Sequence, residues 1–122
     1  MREDAISMSV RIYHNPRCGK SRQTLALLEE RGIKPQIIEY LQNPPSAKEL
    51  DDVLKMLGME PRDLMRRHEA PYKELNLALP EKTRAQLISA MTSAPILMER
   101  PIVVANGKAA IGRPPEAVLD IL

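Results

Sequence analysis

A strand–helix–strand pattern in the first third of the sequence places the strongest constraint on the fold. Residues 8–13 contain the alternating run Val10-Arg11-Ile12-Tyr13, which predicts a half-buried strand. A helix is predicted over residues 19–31, with Gly32 as its stop, and a second strand over residues 36–41. Two short strands joined by one helix form a βαβ unit, in which the strands are parallel and the crossover is right-handed.

The clearest local signal lies near the C-terminus. Asn106-Gly107 separates two β-type runs, residues 102–105 and 108–111, and this pattern favours a hairpin with a two-residue type I′ turn. A last helix is predicted from about Pro115 to Ile121, because two prolines precede an apolar face at helical spacing. The C-terminal part of the chain is therefore predicted to be a ββα unit.

Between these two units the sequence predicts a helical insert. Two capping boxes, Ser46-Ala47-Lys48-Glu49 and Thr83-Arg84-Ala85-Gln86, mark helix starts. A short helix is expected over residues 61–67 and irregular structure over residues 68–80. No repeat or linker interrupts the pattern, so residues 1–122 are expected to form a single domain. Residues 1–7 are expected to be a flexible N-terminal extension.

Composition excludes several classes of function. A net charge of +2 without a long block of one sign, together with only three tyrosines as aromatics, argues against a nucleic-acid-binding protein. No apolar run approaches the length of a membrane helix. A lone cysteine cannot form an internal disulfide, which favours a reducing cytoplasm, and a monomer is the default expectation. One cysteine and two scattered histidines do not suggest a metal site.

That single cysteine, Cys18, is the first candidate for chemistry. It is predicted at or just before a helix N-terminus, where unpaired N–H groups and the helix dipole stabilise an anion. Thiolates in such positions have a lowered pKa and are nucleophiles near neutral pH. Arg17, Lys20 and Arg22 add positive charge nearby in sequence. On position alone, a reactive thiol and a small buried apolar residue are about equally compatible with Cys18.

A βαβ unit, a helical insert and a ββα unit, with a cysteine after the first strand, resemble the thioredoxin fold. This fold implies an α/β architecture with a central mixed sheet of about four strands flanked by helices. The motif His14-Asn15-Pro16-x-Cys18-Gly19-x-Ser21-Arg22 closely resembles that of the glutaredoxin-coupled arsenate reductases, the ArsC family. The resemblance continues in family order through Tyr40-Leu41-x-Asn43-Pro44-Pro45-Ser46, Leu64-x-Arg66, Pro71-Tyr72-x-x-Leu75, Pro95-Ile96-Leu97-x-x-Arg100-Pro101-Ile102-Val103-Val104 and Arg113-Pro114-x-Glu116-x-Val118-Leu119-Asp120-Ile121-Leu122.

The resemblance implies an enzyme of arsenic detoxification that reduces arsenate to arsenite with one cysteine. It implies that Cys18 is the nucleophile and that His14 supports it by lowering its pKa. It also implies a cis peptide bond between Arg100 and Pro101, and a set of arginines that binds the oxyanion. In this sequence the matching arginines are Arg66, Arg100 and Arg113.

The resemblance also implies the source of the second thiol. Reduction of arsenate needs two electrons, and one cysteine cannot complete an internal disulfide. The family uses glutathione as a co-substrate and glutaredoxin as a partner protein, with a mixed cysteine–arsenic–glutathione intermediate. No bound cofactor is expected.

Two other classes of function stay open at this point. A general glutathione-dependent thiol oxidoreductase needs Cys18 but none of the three arginines. A non-enzymatic thioredoxin-like regulator that binds a protein partner commonly carries a Cys-x-x-Cys pair, and here the second position is Ser21. Taken singly, each arginine is compatible with a solvated or salt-bridged surface residue, and His14 with a packed residue at a strand end.

Overall fold

The structure, a computed structural model, describes residues 9–122, so the expected extension over residues 1–7 lies outside the described residues. Its centre is a mixed sheet of four strands in the order β2-β1-β3-β4. β1 pairs in parallel with β2 and antiparallel with β3, and β3 pairs antiparallel with β4. This is the thioredoxin-like sheet that the sequence predicts. The strands are β1 (Arg11–His14), β2 (Gln36–Glu39), β3 (Ile102–Ala105) and β4 (Lys108–Ile111).

Five α-helices and two short 3₁₀ segments complete residues 9–122. Ser46 caps α2 by accepting the Glu49 N–H, and Thr83 and Gln86 form a reciprocal capping box at the start of α5. Within the described chain, no helix is both long enough and apolar enough to cross a membrane. The helices are α1 (Gly19–Glu30), α2 (Ala47–Leu57), α3 (Pro61–Leu64), α4 (Ala70–Glu74) and α5 (Arg84–Ser93), and the 3₁₀ segments are Pro95–Leu97 and Pro115–Ile121.

The chain divides into two compact units. The first holds the described chain up to Asn43 together with Arg100–Leu122, and therefore the whole sheet, α1 and the C-terminal 3₁₀ segment. The second, Pro44–Glu99, is the helical insert that the sequence predicts. That residues 1–122 act as one domain stays a prediction.

The first unit is built around an aliphatic core. α1 contributes Leu28, the C-terminal 3₁₀ segment contributes Val118, and both pack with side chains of β1 and β3. Burying a side chain of this size contributes about 1.5–3 kcal/mol relative to leaving it exposed. In the second unit α2 packs against α5 through apolar side chains that are fully or almost fully buried: Leu50, Val53, Leu54, Leu87, Ile88 and Met91.

Three element predictions need correction. The short helix predicted over residues 61–67 ends at Leu64, because Met65 is extended and forms a β-bridge with Met98. Residues 68–80, expected to be irregular, contain α4. The C-terminal helix has the predicted bounds but 3₁₀ geometry. Each error concerns a segment of seven residues or fewer that begins beside proline, where helical periodicity carries little information.

The predicted hairpin between β3 and β4 is confirmed. Both turn residues have left-handed backbone, with φ of 56° at Asn106 and 74° at Gly107, as a type I′ turn requires. A Cβ at Gly107 would meet no atom within 4 Å, so the glycine is required by its backbone conformation and not by crowding.

We therefore predict that Gly107→Ala lowers the free energy of unfolding by about 1 kcal/mol, because alanine resists a positive φ. Gly19→Ala is the matched control. Gly19 has no positive φ, and its added Cβ would lie 3.8 Å from the nearest atom, so a change within about 0.5 kcal/mol is expected. Urea unfolding of both variants measures the difference; equal destabilisation would contradict the conformational explanation.

Candidate active site

Cys18 occupies the N-cap position of α1. Its backbone is extended, with φ of −95° and ψ of 124°, and its carbonyl accepts the first helical hydrogen bond from the Arg22 N–H at 3.0 Å. The side chain is only 8% exposed. The sulfur therefore lies where the helix presents unpaired N–H groups, as the sequence predicts.

The loop that carries Cys18 is held by a dense set of hydrogen bonds. The Cys18 N–H donates to the Asn15 carbonyl at 3.0 Å, and the Arg17 N–H donates to Asn15 Oδ1 at 3.0 Å. Arg22 Nη1 reaches back from α1 to the Pro16 carbonyl at 2.9 Å. The guanidinium of Arg22 thus holds the loop in place.

Two of the three predicted arginines belong to the same unit as Cys18. Arg113 follows β4, and its Nη1 donates to Cys18 Sγ at 3.9 Å and to the Arg100 carbonyl at 3.0 Å. Arg100 precedes β3, and its charge acts on the Cys18 thiol. The peptide bond from Arg100 to Pro101 is cis, as predicted. The bond from Arg113 to Pro114 is also cis, which was not predicted.

Gly112 explains how Arg113 comes so close to the start of α1. A Cβ at this position would overlap Thr24 Oγ1 of α1 and lie 2.9 Å from Pro101 Cγ. Only a residue without a side chain lets the end of β4 pack this tightly against α1. This close backbone packing places the next residue, Arg113, near the sulfur.

The electrostatic balance at Cys18 favours the thiolate. Burial opposes ionisation and by itself raises the pKa of the thiol, but the surrounding groups outweigh it and hold the pKa of Cys18 below its ordinary value. The helix amides act on the charged form, which they and the arginines stabilise. In order of size, the groups that lower this pKa are the Ser21 N–H, the Arg100 charge, the Lys20 N–H and Arg113.

His14 is buried and bonded to Ser21. Its Nδ1 lies 2.6 Å from Ser21 Oγ, and the same oxygen accepts the Asn15 N–H at 3.0 Å. Burial is the largest effect on the ring and lowers the pKa of His14; Arg22 adds to this, whereas Glu39 and Glu29 oppose it. The ring is therefore neutral at neutral pH. The donors and acceptors of Ser21 and His14 match when the Ser21 hydroxyl donates to Nδ1 and the ring proton is on Nε2.

The supporting role expected for His14 stays a prediction. Among the described residues, the groups that shift the pKa of Cys18 do not include this histidine. Its connection to the nucleophile runs through Ser21, which holds the backbone of Asn15 and so the start of the Cys18 loop.

Arg66, the third predicted arginine, belongs to the second unit. Its backbone N–H donates to the Leu97 carbonyl at 2.7 Å. Its guanidinium pairs with Glu69 Oε2 at 2.5 Å and approaches His68 Nε2 at 3.3 Å. The side chain is only 16% exposed, so its orientation is fixed by Glu69. Its place in an anion site stays a prediction.

Sequence reasoning missed the structural importance of Ser21. The side chain is fully buried and satisfies two polar groups, although the sequence singles it out only as a motif position. The sequence did contain a signal, because Ser21 is at the third position of a helix predicted to start beside a reactive residue. A serine at such a position is buried for its hydrogen bonds and not for apolar packing. Its partners, however, lie on the preceding strand and loop, and no local pattern identifies them.

A thioredoxin-like sheet, with a single cysteine at the N-cap of α1 and arginines near its sulfur, defines a class of single-thiol proteins. The sequence profile of the ArsC family matches residues 13–121. The chain belongs to the ArsC family.

Similar proteins support this assignment over almost the full chain. The uncharacterised protein YfgD of Escherichia coli (strain K12) is 58% identical, covering 96% of this chain and 99% of its own. The arsenate reductase of Haemophilus influenzae is 52% identical, covering 94% of this chain and all of its own. A solved structure of an arsenate reductase from Vibrio cholerae superposes with a TM-score of 0.90 at 56% identity, covering 94% of this chain and 98% of its own.

The lowered pKa of Cys18 predicts a shifted alkylation profile. Because the rate of alkylation follows the thiolate fraction, its midpoint is expected below the roughly 8.5 of a free thiol. Arg113→Gln removes one of the groups that lower this pKa, so the midpoint should move up toward the free value. Arg17→Gln, an exposed arginine in the same loop, should leave it unchanged. Iodoacetamide rates from pH 5 to pH 10 measure all three; equal midpoints for both variants would contradict the assignment to Arg113.

A second prediction concerns Ser21. Ser21→Ala leaves the buried His14 Nδ1 and the Asn15 N–H without this partner, which should lower the free energy of unfolding by about 1–3 kcal/mol. Ser89→Ala replaces an exposed serine on α5 and should change it by less than about 0.5 kcal/mol. Denaturant titration compares the two variants, and a cost for Ser21→Ala no larger than for Ser89→Ala would show that the buried hydrogen bonds are dispensable.

Proposed function

We propose that this protein is an arsenate reductase in which the Cys18 thiolate attacks the arsenic atom. The observation that carries the proposal is the Cys18 sulfur itself, 3.9 Å from Arg113 Nη1, at a helix N-terminus and within the field of Arg100. Membership of the ArsC family and the similarity to named arsenate reductases support the same substrate.

The site suits an oxyanion substrate. A thiolate that approaches a dianion meets charge repulsion, which guanidinium groups and helix N–H groups offset. Arginine is well matched to tetrahedral oxyanions because its planar fork donates paired hydrogen bonds. Arg113 and Arg100 can therefore first stabilise the thiolate and then hold the oxygens of the substrate, with Arg66 proposed as the third ligand.

The first chemical step forms a sulfur–arsenic bond. The Cys18 thiolate donates its electron pair to arsenic(V), and one arsenate oxygen leaves as water after taking up protons. No oxidation state changes in this step. The charge that builds on the remaining oxygens during attack is the charge that Arg100 and Arg113 are placed to stabilise.

Reduction then requires thiols that this chain does not supply, since it has one cysteine. The glutathione thiol displaces a second oxygen as water and gives a cysteine–arsenic–glutathione species. A glutaredoxin thiolate attacks the glutathione sulfur, an S–S bond forms, and the electron pair of the broken S–As bond reduces arsenic(V) to arsenic(III). Water cleaves the remaining Cys18–arsenic bond and releases arsenite. A reducing, glutathione-containing cytoplasm is the setting that this sequence of steps requires.

The proposal predicts arsenate-dependent NADPH oxidation in an assay coupled through glutathione, glutaredoxin and glutathione reductase. Cys18→Ser should abolish it because the nucleophile is lost. Arg113→Ala should lower kcat/KM for arsenate about 100-fold or more, the usual scale for a lost charge-stabilising donor. Arg66→Ala should lower arsenate turnover while Cys18 stays open to alkylation, whereas the exposed neighbour Arg67→Ala should have little effect.

Other outcomes point to the rival functions. If wild type and Cys18→Ser consume NADPH equally, the chain is not a cysteine-dependent arsenate reductase. If Cys18 reduces a glutathione mixed disulfide and the arginine variants retain that activity without arsenate turnover, a general glutathione-dependent thiol oxidoreductase is the better description. If a variant loses both alkylation of Cys18 and arsenate turnover, that variant is misfolded.

A further inference from the structure

An open cleft of about 430 Å³ runs along one face of α1. Its volume falls in the range of sites for small molecules, roughly 300–1,000 Å³. Residues at three- and four-residue spacing supply the α1 wall, which is about 15 Å long at the helical rise per residue. The segment after Arg113 supplies the other wall. The lining residues are Lys20, Gln23, Leu27, Glu30, Pro114, Pro115 and Glu116.

Each wall of this cleft contains a residue that is linked to the Cys18 sulfur directly or through its sequence neighbour. Lys20 lines it, and the backbone N–H of the same residue acts on the Cys18 thiol. Pro114 lines it, and the preceding residue, Arg113, donates to Cys18 Sγ. A molecule bound here can therefore extend one end to the atoms attached to the sulfur.

The charges of the cleft are mixed. Lys20 is at the end nearest Cys18, Glu30 is at the other end of the α1 wall, and Glu116 is on the opposite wall. Gln23 provides an uncharged amide donor and acceptor on α1. All four side chains are exposed, and within residues 9–122 neither Lys20 nor Glu116 forms an ion pair. Leu27 and the buried Pro115 give the cleft an apolar part. Such a surface fits a zwitterion better than an anion.

We propose that this cleft binds the γ-glutamyl end of glutathione. The inference rests on the proposed function, because it gives the second thiol of that reaction a place to bind. Lys20 takes the α-carboxylate of the tripeptide and Glu116 takes its α-ammonium group. The thiol is then directed toward the arsenic on Cys18, where both sulfurs must bond to one atom.

A second cleft, of about 330 Å³, is the competing location. It is lined by residues of the loop before Cys18 and of the segment that ends β2, including Arg17 and Glu39. Its charges are also mixed, but none of its residues is among the groups that shift the pKa of Cys18, whereas Lys20 of the first cleft is. It supplies the control for the experiment.

The test measures KM for glutathione and for arsenate in the same coupled assay. Charge reversal by Lys20→Glu or Glu116→Lys should raise KM for glutathione about tenfold, because each substitution places a side chain beside a glutathione group of the same charge. KM for arsenate should change much less. With 2-mercaptoethanol as the thiol, which has neither charged group, and with arsenite formation measured directly, Glu116→Lys should match wild type. Arg17→Glu, in the second cleft, should leave KM for glutathione unchanged.

Binding of S-methylglutathione provides a readout that needs no turnover. Amide shifts in an NMR titration should map to residues 20–30 and to Glu116, since Pro114 and Pro115 have no N–H, and should be lost in both reversal variants. If the wild type binds it there but reduces no arsenate, the proposed function fails and the subsite stands. The subsite is overturned if turnover occurs and KM for glutathione is unchanged in both variants. It is also overturned if Arg17→Glu alone raises that KM, or if S-methylglutathione shifts neither segment.

Discussion

A buried thiol whose pKa is held below its ordinary value is the feature around which the candidate site of the first unit is organised. Cys18 is 8% exposed, so ionisation costs desolvation energy that neighbouring groups must offset. Two sources do so: the amides at the start of α1, and arginines that precede β3 and follow β4. The sheet order places the ends of β1, β3 and β4 in one region, because β3 lies directly between β1 and β4. A fold with these strands apart could not assemble the same charge balance.

Stabilising the thiolate also requires that its loop stay in one geometry. The ties that fix residues 15–18 come from α1 itself, through Ser21 Oγ and Arg22 Nη1, and from Asn15 within the loop. A helix-borne side chain that accepts a loop N–H links the position of the nucleophile to the most rigid neighbouring element. The neutral His14 ring completes this arrangement by using the remaining hydrogen-bonding capacity of Ser21.

The sequence predicts those parts of the structure that depend on local patterns. Alternation and helical spacing identify the βαβ unit, and Asn106-Gly107 identifies the hairpin, because each pattern is contained within a few residues. The same patterns do not find α4, whose five residues begin Ala70-Pro71. They also do not find the contacts made across the sheet. Gly112 against Thr24 and Arg113 against Cys18 join positions far apart in sequence, and only the family resemblance brought Arg100 and Arg113 to attention.

Ser21 also bears on the proposed use of a thiol from another molecule. In a dithiol protein of this fold class, the residue three positions after the nucleophile would carry the resolving sulfur. Here that side chain is fully buried; one of its hydrogen bonds holds Asn15 in the loop before Cys18, and the other binds His14 at the end of β1. A thiol at this position would leave a weaker donor and acceptor for His14 and Asn15. The residue at position 21 thus cannot both hold the Cys18 loop through its hydrogen bonds and supply a resolving thiol. With position 21 used to hold the loop, a thiol that completes the proposed reaction has to come from another molecule.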